Sequence, residues 1–182
     1  VVVGTARWIH LLKASDLSLI ASMQLDFEHE QPRRLQLANL LPGTSSTKHI
    51  VFTTFYGDLM VLDHQLQVLT DFGEPGIWDF VVHEGASYAS ATTTSTVPIT
   101  IASFRNHLAN ITLNVPGGGP IQSPAQLHAW TEALYGECTD LEAVTMAGTR
   151  MVAGSFTGHG AVAPPVRLFD ALTLQPSTPA GV

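Results

Sequence analysis

The feature that most constrains this chain is a hexapeptide of apolar and small residues that occurs four times. Its copies read VVVGTA, IVFTTF, ITIASF and MVAGSF and begin at Val1, Ile50, Ile99 and Met151. A second motif follows each copy, and its aligned positions are Leu12, Leu62, Leu113 and Phe169. The hexapeptides start at intervals of 49, 49 and 52 residues. Two motifs that keep one period predict a chain built from four repeats.

Each repeat is predicted to be a set of short antiparallel strands. The hexapeptides contain β-branched or aromatic residues and no internal proline, which favours strands over helices. Tight polar turns such as Tyr56-Gly57-Asp58 join each hexapeptide to the second motif as a hairpin. Further strands are expected before the hexapeptides at 33–41, 77–84 and 141–146, and after the hairpins at 17–25 and 67–73. Four such strands at a period of roughly 40 to 50 residues predict one blade of a β-propeller.

The predicted fold is therefore all-β: a propeller segment of about four blades or part-blades. The single domain, 1–182, divides into a part-blade at 1–25, a blade at 33–73, a blade at 77–122 with a helical insertion at 123–136, and a part-blade at 138–176. The chain starts in mid-blade without an initiator Met, so we expect a segment of a larger propeller. A closed four-bladed ring, completed by the C-terminal residues, is the alternative. The small residues expected to allow close blade packing are Gly4, Thr53, Ala102 and Gly154.

The stretch VRLFDALTLQP resembles the third strand and turn of WD40 or YVTN-like β-propeller repeats, in which a Trp-Asp or Phe-Asp pair closes the strand. Phe169-Asp170 and Leu62-Asp63 match that pair, whereas Leu12-Lys13 and Leu113-Asn114 do not. The Gly-His dipeptide that opens many WD40 repeats is missing from the expected places, so the hydrogen-bond network of that family is not carried over. The resemblance implies a non-catalytic protein–protein interaction scaffold, the usual function of such propellers.

One segment, SPAQLHAWTEALYG at 123–136, has a helical pattern. A Ser-Pro pair at its start and a glycine at its end supply caps. Leu127, Trp130 and Leu134 recur at helical spacing and form one apolar face. We expect this helix to cap or replace the outer strand of the third blade. Its face either packs on the blade edge or uses Trp130 as an anchor for a partner.

Two long connections interrupt the repeat, a Gly/Pro-rich one at 157–165 and a Ser/Thr-rich one at 86–98. Loops at the rim of a rigid sheet are common places for binding residues. His159, in the first of these loops, therefore joins Leu127, Trp130 and Leu134 as a predicted partner-binding residue.

No catalytic constellation is apparent in the sequence. Histidine adjoins a carboxylate around His29-Glu30 and at His83-Glu84, without the spacing of a helical metal site. We expect these histidines to be solvated at loops or strand ends, and we predict no catalytic residue, no metal and no cofactor. The alternative is a propeller enzyme or small-ligand binder, quinoprotein-like or hydrolase-like. In that alternative, five side chains would lie together at the mouth of the channel: His29, Glu30, His83, Glu84 and His159.

Other polar motifs are predicted to be structural. Cys138 is the single cysteine and has acidic neighbours that raise its pKa, so we nominate neither a nucleophile nor a disulfide. Asn110-Ile111-Thr112 fits a glycosylation sequon but lies within a predicted strand, and we assign it no function. Asp63 and Asp170 are expected to accept hydrogen bonds from nearby backbone N–H groups in turns.

Charge and hydropathy limit the classes of partner that we expect the chain to bind. The formal net charge is −7, and the eight Lys and Arg residues are scattered, which argues against a nucleic-acid surface. No apolar run reaches the ~20 residues of a membrane-spanning helix, and no signal peptide is apparent. We therefore predict a protein partner, no nucleic acid, no membrane and a cytoplasmic location. A structural repeat within a large multidomain protein is a third possibility.

Overall fold

The computed structural model of the chain is all-β. It describes residues 1–26, 31–40, 48–72, 76–84, 98–103, 107–112, 126–131, 137–157 and 166–177. These residues contain no helix and form fifteen strands in four antiparallel sheets. The predicted all-β class is confirmed, and the strands of every sheet follow one another in chain order.

Each sheet corresponds to one repeat. Sheet 1 contains β1 (Val2–Gly4), β2 (Trp8–Leu12) and β3 (Leu19–Gln24). Sheet 2 contains β4 (Leu35–Ala38), β5 (His49–Thr53), β6 (Leu59–Leu62) and β7 (Val68–Phe72). Sheet 3 contains β8 (Ile77–Val82), β9 (Pro98–Ser103), β10 (His107–Thr112) and β11 (Gln126–Trp130). Sheet 4 contains β12 (Glu137–Met146), β13 (Thr149–Thr157), β14 (Val166–Asp170) and β15 (Pro176–Ser177).

The four hexapeptides form the strands β1, β5, β9 and β13. Each pairs antiparallel with the strand of the second motif, so the predicted hairpins are present in all four sheets. The facing pairs at equivalent positions are Val1–Leu12, Ile50–Leu62, Ile99–Ile111 and Val152–Phe169.

The helix predicted at 123–136 is wrong. Residues Gln126–Trp130 form β11, which pairs with the outer edge of β10. That edge carries backbone N–H and C=O groups that a helix would leave unbonded and that a strand satisfies. Thr131 continues the pairing, since its N–H donates to the Leu108 carbonyl at 2.9 Å and its Oγ1 accepts the Leu108 N–H at 3.0 Å. The helical spacing of three apolar residues is outweighed by the neighbouring strand.

Small residues in the hexapeptide strands leave room for other side chains. A Cβ on Gly154 would lie 2.7 Å from the ring of Phe156, and one on Gly4 would lie 2.8 Å from Cγ of Pro32. The fourth residues of the other two hexapeptides, Thr53 and Ala102, are fully buried. The close contacts of Gly154 are to Phe156 of its own strand, so close packing between blades at these positions stays a prediction.

Three hydrophobic clusters hold the four sheets face to face in chain order. Their fully buried members include Ile9, Phe52 and Leu62 between sheets 1 and 2, Val61, Phe80 and Ile99 between sheets 2 and 3, and Leu141, Val152 and Phe169 between sheets 3 and 4. Sheets 2 and 3 are thus covered on both faces. Within the described ranges, sheets 1 and 4 are each covered on one face.

The first strands of sheets 2 and 3 lie side by side and run in the same direction. Arg34, just before β4, contacts Asp79 near the start of β8, and Asn39, just after β4, contacts Glu84 just after β8. The strand β12 lies close to β8 in turn. We call the end where these first strands begin, with the turns at 5–7 and 54–58, the proximal end. The end with the turns at 13–18, 63–67 and 171–175 is the distal end.

The three turns at the distal end share one feature. In each of them a leucine has a positive φ: Leu17 at 57°, Leu66 at 62° and Leu174 at 54°. The N–H of each leucine donates to the carbonyl of the residue that opens the turn, at 2.9, 3.1 and 3.0 Å. This left-handed conformation costs a leucine about 1–3 kcal/mol. Burial of Leu66 and Leu174 under the preceding sheets offsets that cost, whereas Leu17 is 61% exposed.

The aspartates of two distal turns have the predicted local function. Asp63 accepts the backbone N–H groups of Gln65 and Gln67, each at 2.8 Å. Asp170 accepts those of Leu172 at 3.0 Å and Thr173 at 2.8 Å. These bonds occupy the turn N–H groups that have no strand partner.

We expect Gly57→Ala to destabilise the protein more than Gly148→Ala. Both glycines have a positive φ, 96° and 80°, so both substitutions pay the left-handed penalty. A Cβ on Gly57 would also lie 2.4 Å from the backbone nitrogen of Gly76, whereas one on Gly148 would meet no atom within 4 Å. The extra loss in the free energy of unfolding should be about 2 kcal/mol or more in urea unfolding. Equal losses for the two variants would contradict the close approach.

Candidate functional site

A chain of buried hydrogen bonds crosses sheet 3 and reaches sheet 4 at the distal end. Nε2 of His83, directly after β8, lies 2.8 Å from Oγ1 of Thr100 on β9. Thr100 Oγ1 donates to Oδ1 of Asn110 on β10, and Asn110 Nδ2 donates to the carbonyls of Ala171 at 2.8 Å and Leu172 at 3.0 Å. Thr100 and Asn110 are fully buried and His83 is 4% exposed. The chain therefore joins three strands of sheet 3 to a turn of sheet 4.

The two carbonyls at the end of this chain determine where its protons lie. Carbonyls only accept, so Asn110 presents its N–H groups to them and its Oδ1 to Thr100. The hydroxyl of Thr100 donates to that oxygen and therefore accepts the Nε2–H of His83. Burial, followed by the nearby Arg150 guanidinium, lowers the pKa of His83 to about 4. The ring is thus neutral at pH 7, with its acceptor at Nδ1.

A cleft of about 260 Å³ opens beside His83, between the distal ends of sheets 3 and 4. Its polar lining residues are His83, Glu84, Thr145 and Arg150, and its apolar ones are Val82, Ala143, Val144 and Met151. Nη1 of Arg150 donates to the carbonyl oxygen of Glu84 at 2.9 Å, which anchors the guanidinium at one corner. A guanidinium has further N–H groups in the same plane, and a carboxylate can accept two of them in parallel. The arrangement is suited to a small anionic group.

The carboxylate of Glu84 bonds residues next to the strands of sheet 2. Its Oε1 accepts the backbone N–H of Asn39 and the ammonium of Lys48, each at 2.7 Å. The hydrogen bond from Lys48 is the main cause that lowers the pKa of Glu84. Within the part of the chain that the structure describes, Glu84 is matched by Lys48, and the cleft keeps the positive charge of Arg150.

At the proximal end, Arg34 binds three carboxylates of the two following sheets. Its Nε lies 3.5 Å from Oδ1 of Asp79 on β8. Its Nη1 and Nη2 lie 3.2 Å from Asp140 and 2.9 Å from Glu142, both on β12. Asp79 is buried, whereas the other two carboxylates are exposed. One guanidinium thus joins sheets 2, 3 and 4.

Asp79 also bonds the backbone of two strands. Its Oδ1 accepts the N–H of Phe80 at 2.8 Å and its Oδ2 accepts the N–H of Leu141 at 2.6 Å. The register of β8 shifts at 77–79 and that of β12 at 138–140, so the carboxylate bonds the backbone where the ladders are irregular. Burial raises the pKa of Asp79 to about 6, while the Leu141 N–H and Arg34 act in the opposite direction. These contacts make Asp79 a structural residue that joins sheets 3 and 4.

The predicted partner-binding residues are only partly described. Leu127 and Trp130 lie on β11, where the structure describes the backbone and not these side chains. Leu134 and His159 lie outside the described residues. Their part in binding therefore stays a prediction.

The expectation that His83 is solvated is wrong, because sheet 4 covers the end of β8 where it lies. His83 and Glu84 both adjoin the cleft. His29, Glu30 and His159 lie outside the described residues, so their gathering at one site stays a prediction.

Sequence reasoning missed Arg34, Thr100, Asn110 and Arg150 as members of these two sites. No motif of catalysis or binding marks them, and the contacts of Arg34 and Asn110 reach residues far along the chain. One signal was present for Asn110, a polar residue within the apolar strand LANIT. A buried amide needs hydrogen-bond partners, so such a residue indicates a polar contact inside the core.

Cys138 is buried, and burial raises the pKa of its thiol to about 12. The predicted direction is confirmed, although its acidic neighbours contribute less than burial does. Within the described ranges, no three His, Cys, Asp or Glu side chains are grouped to hold a metal ion. No helix in that part of the chain has the length and apolar character needed to cross a membrane.

No protein-family model matches the chain, and no curated protein or solved structure matches it either.

We expect His83→Gln to make the stability less sensitive to acid. The pKa of His83 is about 4 in the fold against an ordinary 6.5, so its neutral ring favours the folded state fully above pH 6.5. This contribution is lost as the pH falls toward 4, and its size is roughly 3 kcal/mol. Glutamine keeps an N–H for Thr100 and does not titrate.

Urea unfolding of both proteins between about pH 7.5 and about pH 4 measures this difference. Asp79 titrates in the opposite sense over part of the same range, but it is present in both proteins and cancels. The stability of the wild type relative to the variant should fall as the pH falls. If the free energies of unfolding of the two proteins changed equally with pH, His83 would not be held neutral in the fold.

Proposed function

We propose that the four sheets are consecutive blades of a β-propeller and that the chain is a non-catalytic scaffold for protein–protein association. The support for blades is the antiparallel order of the strands in each sheet, the face-to-face clusters and the shared direction of the first strands. The resemblance of Phe169-Asp170 to the closing pair of WD40 repeats agrees with this arrangement. The cytoplasmic location and the absence of nucleic-acid and membrane partners remain proposals from the sequence.

The observation that carries the scaffold proposal is a group of aromatic side chains at the proximal end. Phe55 and Tyr56, in the turn at 54–58, are 52% and 50% exposed and pack edge to face with centroids 5.7 Å apart. Beside the turn, the guanidinium of Arg33 lies 3.9 Å from the centroid of a Trp78 ring. The N–H that begins β8 donates to the Gly57 carbonyl at 2.9 Å and holds the turn against that strand. We call Arg33, Phe55, Tyr56 and Trp78 the aromatic turn surface.

The composition of this surface is that of a protein interface. Aromatic and arginine side chains are enriched among the residues that dominate binding energy. The backbone bond to Gly57 fixes the turn before binding, which lowers the ordering cost of association. The buried His83 and Asp79, in contrast, bond groups of the fold itself, which favours binding over catalysis as the function.

We expect Tyr56→Ala and Phe55→Ala each to weaken a protein partner at least about tenfold, or about 1.4 kcal/mol. The protein is purified from its natural source with its associated proteins, and a stoichiometric partner is then produced separately. Biolayer interferometry compares the affinity of that partner for the wild type and for the variants.

His64→Ala is the matched control, because it removes an exposed ring in a distal turn. It should leave the affinity unchanged. A protein that carries no stoichiometric partner would contradict the scaffold proposal. A partner that binds Tyr56→Ala and Phe55→Ala as tightly as the wild type would exclude the aromatic turn surface.

The distal cleft favours a second function of a different class, the binding of a small carboxylate. Arg150 is anchored at one corner beside a neutral His83 and Thr145. A carboxylate on the free N–H groups of Arg150 would place its carbon chain on the apolar side of the cleft, at Ala143 and Met151. Small-ligand sites commonly combine an apolar lining with a few placed polar groups.

Glutarate is a suitable probe, and we expect Arg150→Gln to weaken its binding at least tenfold by calorimetric titration. Glutamine keeps a donor for the Glu84 carbonyl and loses the fork of N–H groups. Arg167→Gln, on β14 and outside the lining of the cleft, is the control and should bind as the wild type does. No binding at millimolar glutarate, or equal binding by Arg150→Gln, would exclude a carboxylate site.

A further inference from the structure

The three interfaces between the sheets repeat one arrangement. In sheet 2 the side chains that pack on sheet 1 include Ile50, Phe52, Leu62 and Leu66. The side chains that pack on sheet 3 include Val51, Leu59 and Val61. We call the first set the backward face of a sheet and the second set the forward face. Each interface packs the forward face of one sheet on the backward face of the next.

The backward face of sheet 1 has apolar side chains that lack a covering sheet within the described ranges. Val3 lies opposite His10 as Phe52 lies opposite Met60, so Val3 corresponds to Phe52. Phe52 is fully buried, whereas Val3 is 38% exposed. At this position the face is apolar, as the backward face of sheet 2 is, but open.

The distal turn of sheet 1 gives an independent observation. Leu17, Leu66 and Leu174 have the same left-handed conformation. Each donates its N–H to a carbonyl at the start of its turn, four residues back for Leu17 and Leu174 and three residues back for Leu66. Leu66 is 6% and Leu174 is 2% exposed, because each packs in the cluster that joins its sheet to the preceding one. Leu17 is 61% exposed. A costly conformation that burial offsets in two turns indicates that the third leucine is also covered when the protein is assembled.

Sheet 4 presents the complementary forward face. Because Val152 and Phe169 correspond to Ile50 and Leu62, the register identifies the forward residues of sheet 4. The correspondences are Ala153 to Val51, Leu168 to Val61 and Val166 to Leu59. All three residues are apolar, and Val166 is 55% exposed where Leu59 is fully buried.

We propose that the backward face of sheet 1 docks on the forward face of sheet 4 of a second copy of this chain, so that copies associate head to tail. We choose a second copy as the partner because it presents both a forward and a backward face. The chain itself already packs such faces together three times. Two copies supply eight sheets, within the roughly four to eight blades of a closed propeller. The proposal rests on the blade arrangement proposed above and is independent of the aromatic turn surface.

Sedimentation equilibrium of the full chain tests the association. We expect a dimer, and we expect Leu17→Ser on the backward face and Val166→Asp on the forward face each to raise the dissociation constant at least tenfold. Leu172→Ser is the matched control, since Leu172 is 38% exposed in the distal turn of sheet 4 and belongs to none of the three clusters between sheets. It should leave the dimer intact. Circular dichroism and urea midpoints confirm that each variant is folded.

Mixing the two variants identifies the geometry. A head-to-tail pair of Leu17→Ser with Val166→Asp retains one unaltered interface, so native mass spectrometry should show mixed dimers where each variant alone is monomeric. Weakening by Leu17→Ser alone would mean that two backward faces meet, and would overturn the proposal. A monomeric wild type would overturn it as well, and protection of Leu17 in that monomer would show that the chain covers its own face. Neither a dimer of two backward faces nor a monomeric wild type would contradict the proposed blade arrangement. A crystal structure without face-to-face sheets would contradict it.

Discussion

The fold depends on how the free edges of the first strands are satisfied. In sheets 2, 3 and 4 the first strand is terminal, so one edge carries backbone groups that no described strand pairs. Side chains from the neighbouring sheets take these positions. The bonds run from the N–H of Val82 to Gln36 at 3.4 Å, from the N–H of Asn39 to Glu84 at 2.7 Å and from the N–H of Leu141 to Asp79 at 2.6 Å. Each acceptor closes an edge and at the same time holds two sheets together.

The contacts that join neighbouring sheets at the distal end differ in kind from those at the proximal end. Each of the two candidate sites lies beside one kind of contact. The chain from His83 to the turn of sheet 4 is buried and neutral, so salt does not screen it. The cluster around Arg34 is ionic and has two exposed carboxylates, whose contribution falls with ionic strength. The cleft with Arg150 lies beside the neutral chain, and the aromatic turn surface lies at the ionic end. Both sites therefore sit on positions that contacts between sheets hold in place.

The strands and their pairing were predictable from the sequence, and the polar contacts were not. The hexapeptides fixed the hairpins because β-branched and small residues recur in them at a constant period. The error at 123–136 arose because spacing within one segment says nothing about the open edge of β10. The positions of Arg34 and Asn110 were unpredictable for a related reason, since their partners are 106 and 61 residues away in the chain. Sequence patterns report on residues that are close together in the chain, whereas these contacts join residues of different sheets.

Strand order that follows the chain has a consequence for how the protein is made. Every described strand pairs with the strand just before or after it, so each sheet is built from one continuous stretch of chain and can form as soon as those residues have left the ribosome. The clusters between sheets then form one at a time, in the order of synthesis. Within a single copy, sheets 2 and 3 are each covered on both faces and should be the last to exchange their amide protons with solvent, whereas sheets 1 and 4 should be the first to open. Each sheet contacts only its neighbours, so a single copy is expected to fold and to unfold sheet by sheet, as repeat proteins do.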